Sequence, residues 1–473
     1  GVALAQAQDT RLERVLIRDG LSVGLSANSS GLELLGCVVW SNRASAVSLS
    51  STALFMTNSV LEASGSGNYC YLAYTNVTMR TDYNNLFIRN GAQIAFKDAM
   101  QYEKLPQWVR GSVQDLHSLS TDPLFSDPAA GDFHPRSRTG RYQPGTGWVS
   151  DVPEDGRPDY SPLIDMGDPR TAWSNEPASN GGLPNIGLYG NTWQASKSNT
   201  NQWLLAVTAR SGGIMSGGIT LTWGYGGGIP SNALAQLQYS YDDGTANWSL
   251  IGNVPVGARE FYWQSDLVQA GIERFFSSPA GRWQIFLVEA TNLVDRTDTY
   301  FGLRNNPFKY YVNDLSTAND IYAAGPGDDA NMGFYPAAPK LTLGGLLADV
   351  DLEPTDQVLI DTGVYESDTN VPSVRWEASD AGAPGQPVLV RGSTHPDGSR
   401  FVFTSLDPSV RGLVEVQAPF LDVRDLQFVR QNLEFTGSGL IVSNLSLTNG
   451  SLDVRSDASR FEDIGIDRGS VSL

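Results

Sequence analysis

The sequence predicts an all-β protein in which parallel β-helix segments flank a β-sandwich. Two observations carry this prediction: a repeat of 19 residues near the C-terminus, and many short runs of alternating apolar residues. Only one stretch has the pattern of an amphipathic helix. The 49 glycines suit a chain with many tight corners. We therefore expect coils of short strands that pair from one coil to the next.

The 19-residue repeat lies in residues 419–473, where apolar residues recur in five columns. Within each line, neighbouring apolar positions are often two residues apart, as in strands whose alternate side chains face inward. One coil cannot bury its own inward face, so coils stack and the columns become apolar ladders. Five coincident columns disfavour the alternative of a sandwich with accidental spacing. The ladders are Val423, Val442 and Phe461; Leu426, Leu445 and Ile464; Phe428, Leu447 and Ile466; Leu433, Leu452 and Val471; and Phe435, Val454 and Leu473.

Residues 1–125 have the same pattern with longer coils. Matched apolar residues recur at a longer and slightly unequal step, and asparagines fall near the corners, where their backbone tolerates a left-handed conformation. The matched sets are Leu32, Leu54 and Val77; Leu34, Met56 and Met79; and the asparagines Asn42, Asn58 and Asn84. An insertion at 91–125 follows, which forms either a short helix or an excursion over the side of the coils.

Four motifs follow between residues 115 and 195. They are Asp122-Pro123-Leu124-Phe125, Gly131-Asp132-Phe133-His134, Ser161-Pro162-Leu163-Ile164-Asp165-Met166-Gly167-Asp168-Pro169 and Asn185-Ile186-Gly187-Leu188-Tyr189-Gly190. They resemble the last coils and closing cap of right-handed parallel β-helix proteins of the pectate-lyase-like superfamily, which are large secreted or surface proteins of environmental bacteria. The resemblance implies that residues 1–195 are the C-terminal part of such a β-helix with its closing cap. It implies a fold and not an activity.

Residues 196–202 are polar and rich in turn formers, which predicts a linker. Short alternating strands over 203–309 then predict an immunoglobulin-like or fibronectin-III-like β-sandwich. Five of the eleven tryptophans lie in this region. Trp223 and Trp283 alternate with apolar neighbours and are expected in the core. Trp248 and Trp263 are candidates for stacking on a glycan, against the alternative that they too are core residues.

Residues 310–473 resemble the opening of the same β-helix family, on Tyr310-Tyr311-Val312-Asn313-Asp314 and the stretch 325–365. The resemblance implies an N-terminal cap and the first coils of a second β-helix. Thr355 departs from the family pattern, in which glycine is usual. A short helix near 342–351 places Leu343, Leu346, Leu347 and Val350 on one apolar face. Such a helix is expected to cap the open end of the first coil.

The predicted order is the end of one β-helix, a sandwich, and the start of another. We therefore expect the sequence to be one window of a much longer protein in which β-helices and sandwiches alternate. A second hypothesis is that open solenoid ends stack between chains, so that the partner is the protein itself in a filament.

The composition limits the kinds of partner that the protein is expected to bind. The net charge of −19 disfavours nucleic acid and anionic membranes. No apolar run is long enough for a membrane-spanning helix, and no signal peptide is recognisable. Cys37 and Cys70 lie in apolar strands and are expected to be buried thiols rather than a disulfide. We expect an extracellular or cell-surface location.

No catalytic residue is predicted. The three histidines, His117, His134 and His395, match none of the lyase, polygalacturonase or epimerase motifs of the superfamily. The oxygen-rich loop at Asp328, Asp329 and Asn331 is a candidate Ca²⁺ site, with Asp165 and Asp168 as a second pair. The alternative for both is that Asp and Asn cap their own backbone in turns. No other cofactor is expected.

These observations favour a structural or adhesive segment of a very long, modular extracellular or cell-surface protein. The alternative is a module that binds or cleaves an extracellular polysaccharide. A lateral groove that combines carboxylates with Arg, Lys or His would support the alternative, whereas a flat face of small polar residues would not.

Overall fold

The computed structural model describes residues 1–473 apart from 153–159, 243, 245–246, 267, 270–271, 274–276, 351, 368–373, 406, 408 and 473. The chain divides into two compact units, Gly1–Asn305 and Asn306–Leu473. Each unit contains a parallel β-solenoid. Within the described ranges, no helix is long and apolar enough to span a membrane.

The first solenoid begins the Gly1–Asn305 unit. Its strands are β1 (Val2–Ala5), β2 (Thr10–Glu13), β3 (Leu16–Arg18), β4 (Leu25–Asn28), β5 (Gly31–Leu35), β6 (Val38–Trp40), β7 (Val47–Ser50), β8 (Ala53–Thr57), β9 (Val60–Ser64), β10 (Tyr69–Ala73), β11 (Thr78–Asp82), β12 (Asn85–Arg89), β13 (Gln93–Lys97) and β14 (Met100–Tyr102). Each coil gives one strand to each of three parallel sheets: β1-β4-β7-β10-β13, β2-β5-β8-β11 and β3-β6-β9-β12. The inward side chains form one apolar core, which includes the free and buried Cys37 and Cys70, as predicted.

The register of β11 corrects the predicted alignment. Leu32 pairs with Leu54 as predicted, but Leu54 pairs with Met79 and not with Val77. The step from Leu54 to Met79 is longer than the step from Leu32 to Leu54, because the connection before β11 is longer than the preceding ones. A shift of two residues keeps the same side chains facing inward. Alternation in the sequence therefore could not distinguish the two registers.

The corner asparagines link neighbouring coils through their side chains. Asn42 Oδ1 accepts a hydrogen bond from Gly20 N at 3.0 Å, and Asn84 Oδ1 accepts one from Ser59 N at 3.0 Å. Of the three predicted asparagines, only Asn58 has a left-handed backbone, with φ of 52°. The corresponding corners of the other coils are formed by Arg14, Gly36 and Tyr83. All three asparagines thus lie near corners, where Asn58 supplies the left-handed backbone and Asn42 and Asn84 supply side-chain hydrogen bonds between coils.

A hairpin and a helix close the first solenoid. Asp98 and Ala99 both have positive φ, of 53° and 62°, and form the two-residue turn that brings β14 antiparallel to β13. Helix α1 (Leu105–Ser112) follows, with Pro in its first turn, where the missing N–H costs nothing. Its Leu105 and Trp108 are buried in the solenoid core. The insertion at 91–125 is thus partly a helix that covers the end of the coils.

The rest of the first unit consists of short strands around the closing motifs and a region of mainly antiparallel sheets. The strands are β15 (Phe125–Asp127), β16 (Asp132–Pro135), β17 (Arg141–Gln143), β18 (Gly147–Val149), β19 (Trp203–Ala206), β20 (Ile214–Met215), β21 (Gly218–Gly226), β22 (Leu234–Ser240), β23 (Trp248–Pro255), β24 (Glu260–Gln264), β25 (Val268–Gln269), β26 (Ile272–Glu273), β27 (Ser278–Leu287), β28 (Ala290–Arg296) and β29 (Phe301–Leu303). We call residues 203–303 the antiparallel region. Its main sheets are β19-β21-β24 and β20-β29-β27-β22-β23, with β28 on β27, and they share one apolar core.

The Asn306–Leu473 unit is a second solenoid. Its strands are β30 (Lys309–Val312), β31 (Gln357–Ile360), β32 (Gly363–Ser367), β33 (Val374–Trp376), β34 (Val388–Gly392), β35 (Phe401–Ser405), β36 (Gly412–Val416), β37 (Leu421–Val429), β38 (Gln431–Phe435), β39 (Ile441–Thr448), β40 (Ser451–Val454), β41 (Arg460–Asp467) and β42 (Ser470–Ser472). The described pairings within this unit are parallel, apart from isolated bridges.

The five predicted ladders lie in register over the described residues. Val423 pairs with Val442 and Val442 with Phe461, and the columns through Leu445, Leu447 and Leu452 are also in the predicted register. Phe435 pairs with Val454, and Leu473, the predicted third member of that ladder, lies outside the described residues.

The period of the ladders is also visible in the backbone. Residues with left-handed φ recur at three corners of successive coils: Phe420, Gly439 and Ala458; Asp425, Asn444 and Asp463; and Arg430, Asn449 and Arg468. Each set follows the same period as the ladders. Five of the nine are Gly, Asn or Asp, which tolerate this conformation, but Phe420, Ala458, Arg430 and Arg468 are not. At these four positions coil stacking, rather than local preference, imposes the corner conformation.

Helix α2 (Leu343–Asp349) lies within the predicted range 342–351, whose last residue, Asp351, is outside the described residues. Thr342 caps it, with Oγ1 accepting a hydrogen bond from Gly345 N at 2.9 Å. Leu343 and Leu346 are buried.

A column of acidic side chains on the sheet β33-β36-β38-β40-β42 gives a first prediction. Glu415, Glu434 and Asp453 are directly paired in neighbouring coils. Arg375 pairs with Glu415 and Arg455 with Asp453, whereas Glu434 has no ion pair within the described parts of the chain. Glu434→Gln is expected to raise the free energy of unfolding by about 0.5 kcal/mol, because like charges directly opposite destabilise a sheet.

Urea unfolding at low and high salt measures this gain. The gain should shrink at high salt, since salt screens exposed charges. Glu462→Gln is the matched control, because Glu462 has an arginine partner, Arg460, and should lose a little stability. A loss of stability in Glu434→Gln at low salt would contradict the prediction.

Candidate functional site

The outer face of the sheet β2-β5-β8-β11 carries two in-register rows of side chains. The first row is Arg11, Glu33, Phe55 and Arg80, and the second is Glu13, Leu35, Thr57 and Asp82. Phe55 is 38% exposed, between Glu33 and Arg80 in its row. The face therefore combines charges of both signs with an aromatic ring.

The closing motifs reach this face through Asn58. Asn58 Oδ1 accepts a hydrogen bond from Asp168 N at 2.8 Å, and its Nδ2 donates one to Thr171 Oγ1 at 3.1 Å. Gly167 lies so close that an added Cβ would be 2.6 Å from Pro184 O and 2.8 Å from Asn58 Oδ1. Residues 167–171 are consequently fixed beside the sheet, about 110 residues away from Asn58 in sequence.

Residues 168–171 and the sheet face enclose a lateral groove of about 490 Å³. Four charged side chains line it: Arg80 and Asp82 from β11, and Asp168 and Arg170 from the closing motif. Arg170 and Asp168 form an ion pair at 2.8 Å. The groove thus offers hydrogen-bond donors and acceptors beside the exposed ring of Phe55, so a ligand there would meet both polar and aromatic contacts.

His117 lies next to Asp82 of this groove, between two carboxylates. Its Nδ1 lies 2.7 Å from Asp82 Oδ2, and its Nε2 lies 3.2 Å from Glu260 Oε2 in the antiparallel region. The imidazole stacks on Tyr83, with ring centroids 4.7 Å apart. Since both ring nitrogens are engaged by protein carboxylates, neither is available to a substrate in this arrangement. The geometry supports a clasp within the Gly1–Asn305 unit rather than a general base.

The surroundings raise the pKa of both His117 and Tyr83. Burial alone would lower the pKa of His117, but the hydrogen bonds and charges of Asp82 and Glu260 outweigh it and raise the pKa. Burial, together with the charges of Asp82 and Asp168, raises the pKa of Tyr83 to about 12.

The clasp predicts a pH-dependent stability. A histidine whose pKa is higher in the folded than in the unfolded protein stabilises the folded state. This stabilisation is complete below the unfolded-state pKa of about 6.5 and is lost as the pH rises through the folded-state pKa. His117→Asn is expected to cost the first unit about 1 kcal/mol below that pH and less above it, as for a partly exposed ion pair. Thermal unfolding of both proteins across this pH range measures the difference. The same substitution at His395, which pairs with Asp397 in the second unit, is the control, and a pH-independent loss in His117→Asn would contradict the prediction.

The predicted Ca²⁺ loop is organised by hydrogen bonds. Asp328 Oδ1 accepts from Ala330 N, and the carboxylate of Asp329 accepts from the N–H groups of Leu341 and Thr342. The buried ammonium of Lys340 lies 2.7 Å from Asp329 O, where it supplies positive charge to the loop.

Asn331 of this loop, and Asp165 and Asp168 of the second candidate pair, also have hydrogen-bond or ion-pair partners within the protein. Asn331 Nδ2 donates to Pro339 O at 2.9 Å. Asp165 is buried and accepts from Ser198 Oγ, and Asp168 is paired with Arg170. Burial raises the pKa of Asp165. No group of three or more His, Cys, Asp or Glu suited to a metal occurs in the described ranges. Asp328 and Asp168 cap their own turns, by accepting from Ala330 N and Arg170 N, whereas Asp329 and Asp165 accept from segments that are at least 12 residues away.

The two tryptophan candidates differ in exposure. Trp263 is 2% exposed and belongs to the core of the antiparallel region, so it presents no face to a glycan. Trp248, at the start of β23, is partly exposed. Trp223 and Trp283 are buried in the same core.

His134 is part of the packing of the closing motifs. Its ring stacks on Tyr189 at 3.5 Å between centroids, and its Nδ1 lies 2.6 Å from Asp132 Oδ1. The predicted linker is also held, since Lys197 N donates to Gly140 O and Ser198 N donates to Ser179 O.

Phe55, Arg80, Asp82 and Arg170 belong to no motif that the sequence makes recognisable. Arg80 aligns with Phe55 only in the observed register of β11, which alternation in the sequence does not determine. No local motif predicts that residues 168–171 contact Asn58. Comparisons of the chain with protein-family models, with curated proteins and with solved structures find no match.

Proposed function

We propose that this chain is a structural and adhesive segment of a long, modular extracellular or cell-surface protein. The observation that carries the proposal is the in-register stacking of the ladders in the second solenoid. Each 19-residue coil adds one strand spacing of about 4.8 Å, so the number of coils sets the length of the element. Its partner in this role is a second copy, a tandem repeat or an extracellular polysaccharide.

Several finer assignments belong to the same proposal. The solenoids are right-handed and similar to the pectate-lyase-like superfamily, on the motifs at 115–195 and 310–365. The antiparallel region is an immunoglobulin-like or fibronectin-III-like spacer, which its two sheets and shared core support. Helix α2 caps the first coil of the second solenoid, which the burial of Leu343 and Leu346 supports.

Deleting one coil tests the structural role. Removal of residues 436–454 takes out one 19-residue period, and the ladders can re-form across the junction. We expect this variant to unfold as cooperatively as the parent protein. Deletion of residues 436–453, one residue fewer, is the matched control. This variant should not fold, because the one-residue shift moves every later inward side chain to the outer face of the sheet. Equal behaviour of the two deletions would refute a length-setting role for the coil.

A second candidate function, polysaccharide binding, is favoured by the groove around Phe55 and Arg80. Retention on immobilised polysaccharides of different charge is the assay, with release of reducing ends measured in parallel. We expect retention without product. Phe55→Ala and Arg80→Gln should weaken it, whereas Val364→Ala and Arg411→Gln, at exposed positions of the second solenoid, should not. Product formation would instead favour an enzyme, and unchanged retention in the groove variants would exclude this groove.

A further inference from the structure

A second, separate cavity of about 300 Å³ lies in the Gly1–Asn305 unit, between the closing motifs and the antiparallel region. Its wall is largely apolar, with Met166, Leu183, Val207 and Trp223. Its charged lining comes from His117, Arg259 and Glu260. A cavity of this size holds a small organic molecule, and its few polar groups would fix the orientation of such a ligand.

Arg259 is the unusual member of this lining. It follows the 3-10 turn Val256–Ala258 with a left-handed backbone, φ of 59°, and its carbonyl accepts a hydrogen bond from Trp223 N. The guanidinium carbon lies 4.5 Å from the centroid of the Tyr225 ring. Backbone and ring together hold the side chain in place.

The guanidinium of Arg259 forms no ion pair with a described carboxylate: its side chain hydrogen-bonds to Tyr225, and the charge of Asp165 acts on it from beyond ion-pair distance. Throughout the described part of the chain, no Asp or Glu oxygen lies within 4.0 Å of its nitrogens. Burial lowers the pKa of Arg259, which indicates that its charge is partly removed from water. Arginines in such surroundings usually pair with a carboxylate or a phosphate, because the planar fork matches two oxygens.

The nearest carboxylate in sequence is already used. Glu260 accepts from His117 at 3.2 Å, and Asp82 holds the other nitrogen of that ring. The clasp therefore engages Glu260 and His117, and Arg259 is the charged residue of the cavity lining that has no described ion pair. An acidic ligand would complete the pair, and the apolar wall would cover the rest of that ligand.

We propose that this cavity binds a small organic carboxylate with an apolar body. The carboxylate lies on the Arg259 guanidinium, and the body lies against Met166, Leu183 and Trp223. This site is distinct from the groove at Phe55 and does not depend on the structural or polysaccharide-binding role. A bare anion would satisfy the charge but would leave the apolar wall uncovered.

Benzoate is the probe, with benzamide as its neutral isostere and acetate as a carboxylate without the body. Binding to the whole chain is measured by calorimetry and by the shift in thermal unfolding. We expect benzoate to bind, benzamide not to bind, and acetate to bind at least about tenfold more weakly, since one tenfold step corresponds to 1.4 kcal/mol. Equal binding of benzoate and benzamide, or no binding of benzoate up to its solubility limit, would overturn the proposal.

Two variants locate the site. Arg259→Gln should weaken benzoate binding at least about tenfold, whereas Arg411→Gln should leave it unchanged. Because Arg259 occupies a left-handed position, its variant is first checked for folding by circular dichroism. Leu183→Trp keeps Arg259 and fills the cavity, and it should also abolish binding. Full benzoate binding in either folded cavity variant would place the ligand elsewhere and refute the assignment.

Discussion

Replacing Asp115 by alanine is expected to lower the free energy of unfolding of the Gly1–Asn305 unit by about 3–5 kcal/mol. Asp115 is 1% exposed at the closed end of the first solenoid. Its Oδ2 accepts hydrogen bonds from Thr81 Oγ1 at 2.6 Å and Trp108 Nε1 at 2.9 Å. Its Oδ1 accepts from Ser118 Oγ at 2.8 Å and Asn84 Nδ2 at 3.1 Å. Tyr71 Oη donates a fifth, longer hydrogen bond to Oδ2 at 3.4 Å. Alanine would remove the acceptor of these five buried donors, of which Asn84 Nδ2 keeps a second acceptor, Met56 O.

Urea unfolding measures this loss, and two further variants calibrate it. Asp115→Asn keeps one acceptor oxygen and should lose less stability than the alanine variant. Asp127→Ala removes an exposed aspartate of the same unit and should change little. If Asp115→Ala were no more destabilising than Asp127→Ala, the network would not hold the end of the solenoid.

The pH dependence of this site has a definite sign. Burial raises the pKa of Asp115, against the hydrogen bonds that lower it. A carboxyl group with a raised folded pKa favours the folded state less as the pH increases from its unfolded pKa through the folded one. Asp115 should therefore not contribute to acid unfolding, and the excess loss in Asp115→Ala comes from the missing acceptors.

The second large effect is expected for Asp361→Ala in the Asn306–Leu473 unit, again about 3–5 kcal/mol. Asp361 is fully buried, and its carboxylate accepts from three consecutive backbone N–H groups, those of Ile321, Tyr322 and Ala323, at 2.6–2.7 Å. Ser393 Oγ donates to it at 3.1 Å. Consecutive N–H groups around one anion form a nest, which here fixes the segment before α2 to β31.

Hydrogen exchange distinguishes this effect from a general loss of stability. In Asp361→Ala the amides of 321–323 should lose protection first, before those of the ladder strands β37 and β39. Asp407→Ala, at an exposed position of the same unit, should leave all of these amides protected. Uniform loss of protection across the unit would contradict an anchoring role for Asp361.

Much of the second solenoid could be predicted from its sequence, because a fixed period aligns every coil with the next. The ladders through Val442, Leu445, Leu447 and Leu452 followed directly from that period. The first solenoid has coils of unequal length, so Met79 was placed two residues away from its true partner Leu54. Side-chain alternation carries no information about shifts of two residues.

The candidate sites could not be predicted in the same way. The groove needs both β11 and residues 168–171, which meet where Asn58 bonds to Asp168 N and to Thr171 Oγ1. The clasp needs Asp82 and Glu260, which lie on different sheets and bind the same histidine. In each case the informative contact joins residues that are far apart in sequence and have no common motif.

The sequence by itself determined that this protein is a β-solenoid with inward ladders, because periodic apolar residues have one way to be buried together. Only the tertiary structure decided which polar residues meet at the groove, at the His117 clasp and at Arg259. Burial of apolar residues depends on local periodicity, whereas a polar site depends on the orientation of a few side chains from distant segments, which folding alone brings together.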